Sequence, residues 1–275
     1  MKTILAATDY STTSLNALRY AAELALQTKS NLLLYHAFQV PVISSEAVVV
    51  AIPFGEIEKQ NNSKLKIIVT SFRKKYGNKI EINYLAQMGF TVDVLEEVVK
   101  THKIDLMVMG IKGAGKISEI VIGSRASDVT GRVNCPVLII PEKASFKKLK
   151  KIVFASDNEK ISDTANFKVL KELTYIFKSK LILLNVRDPS KLISSEKRKI
   201  SQIEKCFKGI KHSVNFITNK YDDVVAGIND FVKDKDADMV AMISRKHSLL
   251  CRIFNERKTK KMAFHTHVPL LSLND

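Results

Sequence analysis

The 275-residue chain has no tryptophan, three cysteines, six prolines and ten glycines. Cys135, Cys206 and Cys251 are far apart and odd in number. That excludes a disulfide framework or a cysteine-based zinc site and suits a reducing, cytoplasmic setting. The longest apolar runs, such as Ala47–Phe54, are far too short to span a bilayer, so no membrane segment is expected. The opening MKTILAATDYSTTSL lacks the unbroken apolar stretch and cleavage site of a secretory signal. There is no G-x-G-x-x-G, no Gly-Lys-Ser/Thr of a Walker loop, no nucleophile elbow and no local Cys/His signature. His247, His265 and His267 have no nearby cysteine or carboxylate cluster to complete a ligand set, so no metal held by side chains is expected.

What remains is the composition of a soluble globular protein, 45% hydrophobic and 26% charged, with a net charge of +16. The charge is uneven. Residues 1–143 hold 17 Lys and Arg against 13 Asp and Glu, whereas residues 144–275 hold 27 against 15. A basic half attracts nucleic acid, anionic lipid or acidic partners. No arginine and aromatic stacking pattern accompanies these lysines, so nucleic-acid binding is not expected and solvated faces are the simpler account.

The chain is written twice. KTILAATD (2–9) matches KIVFASD (151–157), and LLLYHAF (32–38) matches LILLNVR (181–187). IDLMVM (104–109) matches ADMVAM (237–242), and CPVLII (135–140) matches VPLLSL (268–273). Four matches in one order imply an internal duplication, with the boundary in the lysine-rich stretch Pro141–Lys150 and domains at 1–143 and 149–275. Each copy alternates continuous apolar strands with amphipathic segments. Leu15, Leu18, Ala21, Ala22 and Ala25 recur at helical spacing after a Ser11–Thr13 cap, and Val92, Leu95, Val98 and Val99 repeat that spacing before the next strand. Strands apolar on both faces and separated by helices predict a five-stranded, doubly wound α/β domain with a parallel sheet in each copy. Ligands of such sheets sit beyond the C-terminal strand ends, where Thr8-Asp9 and Met109-Gly110 fall. The apolar stretch Ala47–Phe54 lies in a long connection and is expected to cover the other copy or another subunit.

After the apolar run 106–109 the first copy carries Gly110, Gly113 and Gly123-Ser124, spaced Gly, two residues, Gly, nine residues, Gly-Ser. Glycines bare the backbone N–H groups, and a helix opening at Ser124 aims its positive end at them, a combination suited to phosphate. A loop that simply needs positive φ angles is the plainer reading of the same glycines.

At these residues the chain resembles the universal stress protein family, as two tandem copies covering nearly the whole length. The resemblance implies a Rossmann-like, adenine nucleotide alpha hydrolase-like fold, and an internal pseudo-dimer paired through final strands such as 134–140. It also implies ATP as ligand, with Mg2+ arriving on the phosphates. Asp9 falls where the family contacts adenosine, next to Thr8, and Ala37 where an apolar residue packs on adenine. Met109 and Gly110 border the ribose, and Gly113, Gly123 and Ser124 hold phosphate. Lys112 and Lys116 add charge or are solvated, and Arg125, where the family favours a small apolar residue, reaches a phosphate or points to solvent.

Aligning Asp105 with Asp238 turns Gly110, Gly113, Gly123 and Ser124 into Ile243, Lys246, Glu256 and Arg257. The second copy is therefore not expected to bind nucleotide. Its replacement segment 245–261 has seven Lys and Arg against Glu256, an amphipathic basic surface. Three functions stay open: an ATP-binding stress-response regulator, a slow ATPase using the same pocket, and a nucleotide-independent interaction protein acting through the basic copy. The partners implied are an adenine nucleotide and the other copy, with a homodimer and an unidentified protein partner left open.

Overall fold

The computed structural model describes residues 1–39, 43–45, 48–50, 54–89, 91–111, 129–130, 132–156, 167–185, 194–217, 224–244 and 268–274. Its centre is a ten-stranded sheet. The first half supplies β1 (Thr3–Ala7), β2 (Asn31–Phe38), β5 (Ile82–Met88), β6 (Leu106–Ile111) and β7 (Val137–Pro141). The second supplies β8 (Lys151–Ser156), β9 (Lys180–Asn185), β10 (His212–Phe216), β11 (Met239–Ser244) and β12 (Leu270–Asn274). The spatial order is β10-β9-β8-β11-β12-β7-β6-β1-β2-β5, so each half repeats one strand order. Within this sheet the pairings inside each half are parallel, and the seam β7–β12 is antiparallel, with Leu138 opposite Leu271. The two halves form the pseudo-dimer that the final strands imply. Residues 43–45 and 48–50, β3 and β4, pair as a separate hairpin. The rest of Ala47–Phe54 lies outside the described residues or is described only in its backbone.

The helices are α1 (Thr12–Thr28), α2 (Phe54–Tyr76), α3 (Thr91–Thr101), α4 (Lys168–Phe177), α5 (Ser194–Cys206) and α6 (Val224–Asp234). None among the described residues is long and apolar enough to cross a membrane. Helix α1 begins as its sequence predicts, the Ser11 side chain accepting from Ser14 N–H at 3.2 Å. It ends on Lys29 in the left-handed region, φ 54°. Leu18, Ala21, Ala22 and Ala25 are fully buried against the sheet. Helices α1, α2, α4 and α5 share one face of the sheet, and α3 and α6 the other. Both apolar layers run unbroken across the seam, each fully buried Leu or Ile stabilising the fold by roughly 1.5–3 kcal/mol.

Two details fix the internal register. Asp105 accepts from the N–H groups of Lys2 (2.5 Å) and Thr3 (3.1 Å), and Asp238 from those of Lys150 (2.7 Å) and Lys151 (2.9 Å). Asn31 N–H donates to Lys2 O, and Lys180 N–H to Lys150 O. Lys2 thus corresponds to Lys150, one residue earlier than the sequence match suggests. With that shift the segments 2–9 and 150–157 have equal length.

The stretch between β7 and β8 is not a loose tether. Asn16 Nδ2 donates to Ala144 O at 2.8 Å, Phe146 packs on Tyr20 and Phe177, and Leu149 is fully buried. Because the seam is antiparallel, this segment runs from the C-terminal rim of the first half's strands to the N-terminal rim of the second's. Those two rims lie on the same side of the molecule.

Candidate functional site

In the first half the chain moves from β1 out to β2 and β5, then returns to the other side of β1 for β6 and β7. The crevice between β1 and β6 is the switch point, where the loops leaving two neighbouring strands diverge. The registers bring the candidate residues together there. Ala7 pairs with Tyr35, and Ala6 with Val108. Continuing by one step sets Met109 beside Ala7, and by two steps Gly110 beside Thr8 and Ala37 level with Asp9. Ala7, Ala37 and Met109 are half-buried and, like Leu85 and Val92, pack against the core on the α3 face. They form an apolar shelf at the mouth of the crevice. Leu85 and Val92 give no local signal of this in the sequence, because their place depends on β5 lying next to β2.

Asp9 is exposed at the rim. Its Oδ1 accepts from Ser11 N–H at 3.0 Å and Ser11 Oγ–H at 2.6 Å. Partial burial alone would raise its pKa, but the hydrogen bonds from Ser11 and Ser14 outweigh this and hold the carboxyl below its usual value. Beneath it, buried Thr8 bonds the Ser14 hydroxyl at 2.9 Å and receives Tyr10 N–H at 2.9 Å. Tyr10 sits in the left-handed region, φ 64°, and its ring lies 4.4 Å from His36. His36 Nδ1 donates to Thr8 O at 2.7 Å. Burial, reinforced by the Lys64 charge, lowers the His36 pKa despite the Thr8 bond and Asp9. This support under Asp9 is absent from the sequence reading, since a tyrosine with positive φ carries no sequence signature.

Gly110 has a structural reason to be glycine. A Cβ there would lie 2.6 Å from Thr13 O and 3.1 Å from Ser14 Cα, in the first turn of α1. The sequence reading assigns this glycine to ligand approach, whereas the close neighbour among the described residues is helix α1. Ile243, at the equivalent place on β11, is a buried part of the core on the same face of the sheet. The side chain there fills the helix-facing layer rather than a phosphate space. Another glycine missed in the sequence, Gly89, has φ 147° and a Cβ position 2.2 Å from Val94 Cγ2, which lets β5 turn directly into α3.

Of the candidate residues, Thr8, Asp9, Ala37, Met109 and Gly110 meet at one rim. Lys112, Gly113, Lys116, Gly123, Ser124 and Arg125 lie outside the described residues, as do Asp157, Lys246, Glu256, Arg257 and the three histidines 247, 265 and 267. Among the described residues no group of three His, Cys, Asp or Glu is placed to hold a metal ion. Burial pushes the Cys135 thiol up to about 12.

Comparison with known proteins gives a consistent picture. A universal stress protein of Methanocaldococcus jannaschii is 27% identical over 140 residues, covering 50% of this chain and 81% of that protein. One from Thermus aquaticus is 29% identical over 140 residues, covering 50% and 98%. The crystal structure of a universal stress protein from Archaeoglobus fulgidus superposes on 99% of this chain and 98% of its own, with a TM-score of 0.73 at 16% identity, a likeness of fold. The sequence profile of the Universal stress protein family matches residues 1–141, and the chain belongs to that family.

Proposed function

We propose that the first half, residues 1–143, binds one adenine nucleotide per chain, ATP with Mg2+ carried on its phosphates, and that the second half, residues 149–275, binds none. One observation carries the reading: the strand register sets Asp9 level with Ala37, and Gly110 and Met109 beside Thr8 and Ala7 just below, at the β1/β6 switch point. The donor set suits the ligand. The half-buried shelf of Ala7, Ala37 and Met109 offers an apolar surface to a purine. The Asp9 carboxylate, ionised and held by Ser11, accepts from ribose hydroxyls or the adenine amino group. Gly113, Gly123 and Ser124 supply N–H and hydroxyl donors to the phosphates, with Lys112 and Arg125 as nearby positive charge.

The chain then acts as a nucleotide-dependent stress-response regulator, binding without turnover. Phosphoryl transfer needs an oriented nucleophile and neutralised γ-phosphate charge, whereas the Asp9 carboxylate is engaged by Ser11 and the nucleoside. Calorimetry of the whole protein with Mg-ATP tests this. The expected result is one site per chain, with Asp9→Ala and Gly113→Lys each weakening binding at least about tenfold, or 1.4 kcal/mol. Two sites per chain, or unchanged affinity in both variants, would overturn it. Steady phosphate release during the same titration would make the protein an ATPase instead.

A further inference from the structure

The second half gathers its lysines on one rim, and the internal register shows that the fold does not require them there. Lys151 and Lys180 are register partners at the starts of β8 and β9. Leu181 pairs with His212, so Lys211 falls beside Lys180 one step before β10. The three lysines form a row across adjacent strands at about 4.8 Å per strand. They share the sheet face that carries α6, as the alternation with Val153, Ile182 and Leu184 requires. At the equivalent positions the first half has Thr3, Asn31 and Glu81. The correspondence is fixed by matched backbone bonds: Asp105 N–H to Thr3 O and Asp238 N–H to Lys151 O, then Leu32 N–H to Glu81 O and Leu181 N–H to Lys211 O. Like charges side by side on neighbouring strands are unfavourable. The second half therefore keeps a repulsive row that its twin replaces with a threonine, an asparagine and a glutamate.

More charge converges on this row. At the end of helix α6 exposed Lys233 and Lys235 alternate with exposed Asp234 and Asp236 and add no net charge, while Lys151 Nζ donates to Lys235 O at 2.7 Å. Exposed Lys178 and Lys208, which follow α4 and α5 on the opposite face of the sheet, lie on the same rim ahead of β9 and β10. The segment linking the halves adds exposed Lys143, Lys148 and Lys150 along the same side of the molecule, and Lys147, which pairs with Asp238 at 3.8 Å. Helix C-termini favour lysine and account for Lys178 and Lys233, but not for the row or the linking segment. From the end of β7 to β10 the basic rim spans five interstrand steps, about 24 Å.

We infer that this rim is a docking surface for the phosphodiester backbone of nucleic acid, held by charge without base readout. Lysine dominates the rim, and lysine is depleted in protein–protein interfaces, which argues against a folded acidic partner. Stable membrane attachment needs an apolar face as well as charge. The large apolar side chains exposed near this rim among the described residues are Tyr175 and Ile176, on α4, across the sheet from the row. A line of point charges about 24 Å long suits a linear polyanion, and phosphate contacts by lysine are sequence-independent. The sequence alone disfavours nucleic acid, because lysines scattered from 143 to 235 come together only through the strand order.

The test uses the whole, nucleotide-free protein and fluorescence anisotropy with a labelled oligonucleotide, single-stranded in one arm and as duplex in the other. The key variant, Lys151→Thr/Lys180→Asn/Lys211→Glu, installs residues the first half already carries at the same positions, so the fold tolerates them. The control, Lys59→Gln/Lys66→Gln/Lys74→Glu on exposed positions of α2, removes the same net charge elsewhere. The wild type is expected to bind at 0.1 M salt with affinity falling steeply as salt rises. Losing about three phosphate contacts weakens single-strand binding about a hundredfold and flattens the log–log salt slope by about two, while the control stays within about threefold. Equal loss in both variants would overturn the assignment, because net charge alone would then explain binding. So would no binding by the wild type at 0.1 M salt, or tighter binding to phosphatidylserine vesicles or polyglutamate than to either oligonucleotide.

Discussion

Replacing Gly110 with alanine tests whether helix packing, rather than ligand approach, fixes this residue. The added Cβ would stand 2.6 Å from Thr13 O and 2.9 Å from its carbonyl carbon, where ordinary contact begins at 3.4 Å, so about 0.8 Å of relief is needed. Both obstacles are backbone in the first turn of α1, which cannot rotate away. That turn is pinned by the Ser11 cap, by the Thr8–Ser14 bond at 2.9 Å and by Leu15 N–H to Ser11 O at 2.9 Å. Overpacking of this kind destabilises by about 1–3 kcal/mol, partly offset by the 0.5–1 kcal/mol that alanine gains over glycine in a strand. The expected net loss is about 1.5 kcal/mol, lowering the urea midpoint by about 0.5 M for an m-value near 3 kcal/mol/M. Unfolding would be followed by far-UV circular dichroism without nucleotide. Gly55→Ala, with nothing within 4 Å of its Cβ, is the matched control and should not lose stability. A Gly110→Ala midpoint at or above wild type would refute the packing argument and leave ligand approach as the reason for the glycine.

Two further predictions concern pH. Asp105 is partly buried, which alone would raise its pKa, but the Lys2 and Thr3 N–H groups, Lys168 and the chain's amino terminus hold it below the usual carboxylate value. A lowered folded pKa means stability that is complete above about pH 4 and lost as pH falls through the folded value. Asp105→Asn should therefore destabilise the protein by about 2 kcal/mol at pH 7, with the gap in urea midpoint closing as pH falls through the lowered folded value; a gap independent of pH would contradict it. His36 is also lowered, by burial first, so the unfolded chain binds its proton more readily and wild-type stability should fall as pH drops below about 6.5. His36→Asn, the residue the second half has at this place as Asn185, should remove that part of the slope between pH 7 and 5; an unchanged slope would show that His36 does not carry it.

Much of this was legible in the sequence because it depends on local pattern. The apolar runs at 32–35 and 106–109, separated by helical patterns, read as strands buried on both faces, and Ser11–Thr13 before a helical spacing read as a cap. The duplication was visible because Asp105 and Asp238 do the same work, each receiving the N–H groups that open a neighbouring strand. What the sequence hid depends on long-range placement. The purpose of Gly110 requires knowing that α1 crosses β6, and the support of Thr8 by His36 requires β2 beside β1. The one-residue slip between Lys2 and Lys150 arose because two lysines stand together at 150–151, and only the backbone bonds decide between them.

The same placement explains why the halves diverge in the way they do. A parallel α/β half has two unlike rims: C-terminal strand ends with outgoing loops, where ligands gather, and N-terminal ends, where helix C-termini point. An antiparallel seam puts the C-terminal rim of one half and the N-terminal rim of the other on a single side. In a symmetric dimer both sides would be identical. A tandem chain frees each half to change alone, and here the changes fall on one side. The first half keeps Asp9 and Gly110 at its C-terminal rim, while the second places Lys151, Lys180 and Lys211 at its N-terminal rim. About five interstrand steps separate β1 from β8, roughly 24 Å. At that separation, beyond a Debye length in physiological salt, the lysine row is screened from the Asp9 carboxylate. The two rims are then free to act separately, joined by the shared sheet, its two continuous apolar layers and the packed linking segment of Phe146 and Leu149 rather than by direct charge.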